Sequence, residues 1–282
     1  MSAIVQTRDI GELQRIARKI RLDIVQMVGP GQKGHFGGSC SRADFVTALY
    51  FSKMRHDPQN PDWEDRDRFL LSKGHSALVQ YAALAQWGYF PREELRKLKT
   101  LGAMLQGHPD RLTTPGIEAN TGSLGQGLSI ACGMAAGLRI DGRSSKVYCV
   151  VGDGEIAEGQ IWEAAMAAAH YKLENLVAIL DRNGLMTNGA TDVRYSSSPI
   201  DKKWAAFGWH VQDINGHDMR EILEALDKAD TIRGQPKMII ARTIKARGIP
   251  FAEGRAEFHN GIMTAEQYAQ ACRALEAEPE AS

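Results

Sequence analysis

Close pairs of cysteine are missing from this chain. Its four cysteines, Cys40, Cys132, Cys149 and Cys272, are scattered, which excludes a zinc or dithiol motif and leaves buried, inert thiols in a reducing compartment as the expectation. An excess of one charge is missing too. Lys plus Arg and Asp plus Glu number 34 each, so no net field draws the chain to nucleic acid or to an anionic membrane. No apolar run is long enough to span a bilayer, and the first residues hold no apolar signal core; the expected location is cytoplasmic. Repeats and low-complexity tracts are absent, and no Gly-Lys-Ser/Thr follows a glycine loop, so there is no P-loop for phosphate. What is present is an ordinary globular composition, 43% hydrophobic and 24% charged over 282 residues, which points to small-molecule chemistry.

Apolar residues recur at helical spacing over 13–28 (Leu13, Ile16, Ile20, Ile24, Val25, Val28), and Gly29-Pro30-Gly31 stops the pattern. Further helices are predicted from an N-cap at Ser41 through Phe45, Ala48 and Leu49, over 76–87, in a short segment opened by Pro91, and over 126–139, where small residues suit close packing on a sheet. Segments 147–151, 158–170 and 176–180 form a βαβ unit, whose right-handed crossover makes its two strands parallel. Segments 209–214, 220–229 and 238–241 continue the alternation. The expected fold class is α/β, a doubly wound, mainly parallel sheet flanked by helices. It is taken as a single domain over 1–282, with 263–282 a C-terminal helix and a tail that frays after Leu275. The charged run 62–68 is expected as a solvated loop or helix start. Trp63, Trp87, Trp162, Trp204 and Trp209 are expected as core or interface aromatics, with the helix 158–170 a candidate subunit contact.

The strongest signal is Val150-Val151-Gly152-Asp153-Gly154-Glu155, followed by Asp181-Arg182-Asn183. One hydrophobic strand ends in a carboxylate and the next in an amide, and in a parallel sheet those ends lie side by side at the ligand-binding edge. A carboxylate oxygen and an amide oxygen converging there suit a hard divalent cation such as magnesium, which keeps positions for water and phosphate oxygens.

Four turns share a histidine beside glycine: Gly34-His35-Phe36-Gly37-Gly38, Lys73-Gly74-His75, Gly107-His108-Pro109 and His259-Asn260-Gly261. Half of the eight histidines sit in them. Glycine lets backbone and imidazole approach a ligand closely, and polar hydroxyls need such donors and acceptors. His56, His170, His210 and His217 are assigned structural roles. Asn120-Thr121-Gly122-Ser123-Leu124-Gly125-Gln126-Gly127 is not a dinucleotide fingerprint, because no apolar strand precedes it and the glycine order differs. It opens a helix, either for close packing or for ligand contact.

Taken together, these residues resemble the thiamine diphosphate-binding N-terminal half of transketolase, in the family's motif order from His35 to His259. The resemblance implies that Asp153, Asn183 and the backbone carbonyl of Leu185 hold Mg2+, with Ca2+ or Mn2+ as substitutes. It implies that Gly154, within Gly152 to Glu155, meets the diphosphate, and that His75 and His259 reach both the diphosphate and the reacting centre. His35 and His108 correspond to the histidines that bind sugar hydroxyls, and Gly122, Ser123 and Leu124 to the backbone that touches the aminopyrimidine. Glu158 resembles the family's buried interface acid, which links two cofactor sites. In such chemistry the cofactor supplies the carbanion equivalent while the protein orients and moves protons.

The family's activating glutamate belongs to a separate pyrimidine-binding domain, for which 282 residues leave no room. The resemblance therefore implies one subunit of a split transketolase, completed by a C-terminal subunit in a heterotetramer and acting on sugar phosphates. Alternatives are the α subunit of a 2-oxoacid dehydrogenase, a deoxyxylulose phosphate synthase relative, a non-catalytic scaffold, and a metal-dependent phosphoesterase, which would need more clustered ligands. Thr187 and Asn188 depart from the family's commoner aliphatic residue and Asp, as do Phe258 and Asn260 from its Trp and Gly, which bears on the choice of sugar. Lys245 and Arg247 are assigned either to a substrate phosphate or to the surface.

Overall fold

Val147–Gly152 is buried along its whole length, and a strand buried on both faces needs a covering layer on each side. The computed structural model of the chain describes residues 6–277 and supplies both layers. In chain order the first half contains α1 (Ile10–Val28), β1 (Lys33–Gly34), α2 (Phe36–Cys40), α3 (Ala43–Ala48), β2 (Arg68–Leu71), α4 (Leu78–Trp87), α5 (Gln126–Ile140), β3 (Val147–Gly152) and α6 (Gly159–His170). The second half contains β4 (Leu176–Arg182), β5 (Leu185–Met186), β6 (Gly189–Ala190), α7 (Thr191–Arg194), α8 (Ile200–Ala206), β7 (His210–Asn215), α9 (Met219–Thr231), β8 (Lys237–Arg242), β9 (Gly261–Ile262) and α10 (Ala265–Ala277).

Five strands form one sheet in the order β2-β3-β4-β8-β7, all parallel. The expected α/β class and parallel sheet are thus present. Strand residues alternate between two cores. Tyr148, Val150, Val177, Ile179 and Ile239 join α1, α3, α4 and α9 on one face. Val147, Cys149, Val151, Ala178, Leu180 and Ile240 join α5, α6 and α8 on the other. The chain leaves β4, passes beyond β8 to form β7, and returns. That reversal between β4 and β8 opens a crevice at their C-terminal ends, where open α/β sheets bind ligands.

Local chemistry sets the element ends. Asp9 caps α1 by accepting from the Glu12 N–H at 2.7 Å, and Gly29, at φ 63°, ends it. Ser41 does not cap a helix as expected. Its hydroxyl donates instead to Asp181 at 2.9 Å, and Arg42 precedes α3 without a side-chain cap. The run 62–68 is not simply solvated: Asp67 is buried and accepts from the N–H groups of Arg55 and Lys146, Arg66 pairs with Glu118, and Arg68 opens β2. Opposite charges drawn together inside a fold look the same in sequence as a solvated run.

Trp87, Trp204 and Trp209 are core residues, and Trp162 packs on Trp204 at 5.1 Å between ring centroids. Cys40, Cys132 and Cys149 are buried free thiols. Helix α10 continues past Leu275 to Ala277, and the rest of the tail lies outside the described residues. Among the described residues no helix is long and apolar enough to cross a membrane.

Candidate active site

The C-terminal ends of β2, β3, β4 and β8 lead into one cavity of about 320 Å³. Asp153 and Gly154 follow β3, Asn183 and Leu185 follow β4, Lys73 and His75 follow β2, and Lys245 and His259 follow β8. His35 enters from the turn before α2, and His108 from the long connection between β2 and β3.

Three imidazoles cluster. The His35 ring lies 4.9 Å from His75 and 5.5 Å from His259 between centroids, and His75 and His259 are 5.1 Å apart. His108 stands against Gly122, where an added Cβ would come within 2.7 Å of the ring. Burial and nearby ammonium groups depress all four. His35 is lowered to about 4 by burial and Lys99, His75 to about 2 by burial and Lys73, and His259 to about 3 by burial and Lys245. His108 is lowered by burial and Lys99. All four rings are therefore neutral near pH 7, each offering one donor and one acceptor nitrogen to a hydroxyl.

Charged groups line the same cavity. The Asp153 carboxylate accepts from the N–H groups of Gly154 at 2.9 Å and Gly184 at 2.5 Å. Burial raises Asp153 to about 6 against the pull of Lys73. The Asn183 amide oxygen accepts from the Leu185 N–H at 3.1 Å. Lys245 donates to the Leu185 carbonyl at 2.8 Å and stands 3.1 Å from His259 Nδ1. It is 2% exposed, so the surface alternative for it falls away. Burial and Lys73 lower it to about 8. Arg247 instead pairs with Glu253.

His35, His75, His108, His259, Gly122, Leu124, Gly152, Asp153, Gly154, Glu155, Asn183 and Leu185, all expected, line the cavity, and Thr187 joins them. Ser123 and Glu158 do not; both are exposed in this chain. Glu155, three residues before Glu158, is buried. Its carboxylate is taken up by the protein, accepting from Ser72 Oγ and from the N–H groups of Gly125 and Gly152, and so ties the glycine loop to the ends of β2 and β3. Gly38 and Lys73, present in the histidine turns but given no role from sequence, line the cavity too, as does Met186. Lys73, between Ser72 and Gly74, looks like a surface lysine until the fold buries it to 5% exposure.

The residues present fit a metal-bound diphosphate. Among the described residues no three His, Cys, Asp or Glu side chains group to hold a metal, but one carboxylate, one amide oxygen and one carbonyl form a hard oxygen set that leaves positions for phosphate oxygens. Lys73 and Lys245 add the positive charge that a diphosphate needs. At Gly154 an added Cβ would come within 3.0 Å of Met186, and at Gly152 within 2.9 Å of Lys73, so both glycines keep the cradle open.

The family profile described as "Transketolase, thiamine diphosphate binding domain" matches residues 12–282. A 6-deoxy-6-sulfo-D-fructose transketolase subunit of Clostridium sp. is 45% identical over 95% of this chain and 97% of its own length. An apulose-4-phosphate transketolase subunit of Phocaeicola vulgatus is 43% identical over 93% and 92%. Among solved structures, the transketolase of Campylobacter jejuni superposes with a TM-score of 0.88 at 32% identity, covering 96% of this chain and 43% of that one. This chain thus spans about two fifths of that transketolase chain, but nearly all of the two named subunits.

Proposed function

The chain belongs to the transketolase family as its thiamine diphosphate-binding part, and from that membership we propose that it is the N-terminal subunit of a two-chain transketolase. It works with Mg2+ and with a separate subunit that carries the pyrimidine-binding half and its glutamate, two copies of each forming a heterotetramer. The observation that carries this reading is one cavity lined by three clustered imidazoles, by Asp153, Asn183 and Leu185, and by Lys73 and Lys245. Relatives matched along nearly their whole length are named subunits, which supports the split arrangement over a 2-oxoacid dehydrogenase or a scaffold.

When bound, thiamine diphosphate supplies the carbanion equivalent that a ketol transfer requires. The protein does the rest. Asp153, Asn183 and the Leu185 carbonyl would hold the magnesium and Lys73 and Lys245 would face the diphosphate, with Gly154, whose N–H donates to Asp153 at 2.9 Å, lining the same cradle. Neutral His35 and His108 hold the substrate hydroxyls, and His75 and His259 pass protons on and off sugar oxygens at the reacting end. The glycine loop at Gly122 to Leu124 gives the aminopyrimidine a close backbone surface. Glu158, exposed on this chain, is available to a partner's surface.

The donor is proposed to be a ketose with an anionic terminal group, because the two subunit relatives are named for a sulfo sugar and a sugar phosphate. Lys33 and Lys99, close enough to act on His35, suit that charge. The test is reconstitution: the chain alone with thiamine diphosphate and Mg2+ is expected to give no ketol transfer, and the co-purified pair to transfer from such ketoses. Robust transfer by the chain alone, or pyruvate decarboxylation without ketol transfer by the pair, would overturn the proposal.

A further inference from the structure

Asp181 is buried to 1% exposure at the end of the central strand β4 and does not line the cavity. Four hydrogen-bond donors from four parts of the chain converge on its carboxylate. Ser41 Oγ donates to Oδ2 at 2.9 Å, Lys73 Nζ at 2.5 Å and Asn183 Nδ2 at 3.0 Å, while Thr243 Oγ1 donates to Oδ1 at 2.5 Å. Arg42, itself 2% exposed, brings a guanidinium nitrogen to 3.7 Å. An ammonium and an amide NH2 can only donate, so toward Lys73 and Asn183 this carboxylate is the acceptor. The side chain two residues on is therefore held in one sense. Its Nδ2 faces Asp181, its Oδ1 accepts from the Leu185 N–H at 3.1 Å, and the residue lines the cavity.

Resting on the reading of the Asp153 and Asn183 edge as the metal site, we propose that Asp181 is a positioning residue: it fixes the amide sense of Asn183, so that oxygen and not nitrogen faces the cation, and aims Lys73 at the diphosphate. An amide can rotate by half a turn at little steric cost, and with the wrong sense it presents an NH2 group that no cation accepts. Outer partners that orient a metal ligand in this way typically govern metal affinity by about 10–100-fold.

Two variants separate orientation from mere support. Asp181→Asn keeps the shape but can present NH2 or oxygen, which leaves the Leu185 N–H alone to hold the sense of Asn183. The double variant Asp181→Asn with Asn183→Asp restores a hydrogen bond of reversed direction, keeps one carboxylate, and places an oxygen toward the cation whichever way the new side chain turns. Binding is read by electron paramagnetic resonance, as loss of the free Mn2+ signal in the co-purified assembly with thiamine diphosphate. The expected result is at least about tenfold weaker Mn2+ binding for Asp181→Asn, with the double variant returning to within about threefold of the wild type. Equal affinity of Asp181→Asn and wild type overturns the proposal, as does a double variant no tighter than the single one. If Asp181→Asn does not fold, the double variant decides alone: recovery within about threefold supports orientation, and a loss of tenfold or more overturns it. Absence of cofactor-dependent Mn2+ binding in the wild type would instead overturn the metal-site reading beneath it.

Discussion

Thr187 stands exposed at the rim of the cavity, two residues beyond the carbonyl of Leu185. A hydroxyl there changes both polarity and packing relative to an aliphatic side chain. Thr187→Ile is therefore expected to shift the ratio of kcat/KM between ketose donors, measured in the reconstituted pair; an unchanged ratio removes this residue from specificity. Asn188 does not line the cavity. Its carbonyl accepts from Arg194 Nε at 2.7 Å, so its role is to shape the turn. Most of the site was legible at this scale, because Asp153, Asn183 and the four histidine turns are residues with chemistry beside glycines. Lys73 was not, since its meaning depends on burial among charges from other strands. Nor was the burial of Glu155 within the chain, since nothing in the sequence distinguishes it from Glu158, which the single chain leaves exposed for an interface.

At the scale of elements, the glycine loop matters as much for packing as for ligand contact. Gly127, in the first turn of α5, lies so close to the end of β2 that an added Cβ would sit 2.5 Å from the Ser72 Cα. Backbone cannot yield as a flexible side chain can. Gly127→Ala is expected to cost about 1–3 kcal/mol and to loosen the loop that Glu155 anchors, seen as a lower melting temperature together with weaker thiamine diphosphate binding. A variant with unchanged melting temperature and binding would show that the loop is not fixed from this point. The long elements were readable from periodicity: α1, α5, α6, α9 and strands β3, β4 and β8 fall close to where apolar spacing predicted them. Strand β2 was not, because Arg68-Phe69-Leu70-Leu71 is too short to display a period and follows a charged run. The turn after His35 was expected as a loop and is instead the buried helix α2, whose glycines let it pack against the His259 segment: at Gly37 an added Cβ would come within 2.5 Å of the Phe258 carbonyl oxygen.

For the molecule as a whole, Asp44 ties distant parts together. Its carboxylate pairs with Arg21 of α1 and, at 2.7 Å, with Nδ1 of His217 in the loop before α9. Burial pushes its pKa up, but Arg21 and His217 more than offset that and hold it at about 2. An unfolded Asp titrates near about 3.9. Between those values the unfolded chain binds more protons, so this contribution is complete above about pH 4 and is lost as pH falls toward 2. It amounts to about 2–3 kcal/mol. Denaturant titrations from pH 6 down to 2 are expected to show that fall for the wild type and a flatter acid limb for Asp44→Asn. At neutral pH the variant should already be less stable by about 3 kcal/mol, because the buried ion pair between Asp44 and Arg21 is broken. Parallel acid limbs for the two proteins would exclude Asp44 as a source of acid lability.

The sequence by itself determined the α/β class, the parallel sheet and the chemical type of the site, because apolar periodicity and the carboxylate, amide and histidine turns are local signals that survive without a fold. Only the tertiary structure decided which charges are inside. Lys73, Asp181, Arg42 and Lys245 come from four separate segments and meet under one crevice. The physical reason is topological: β7 precedes β8 in the chain but lies beyond it in the sheet, so β8 sits beside β4, and no local pattern places Leu185 next to Lys245.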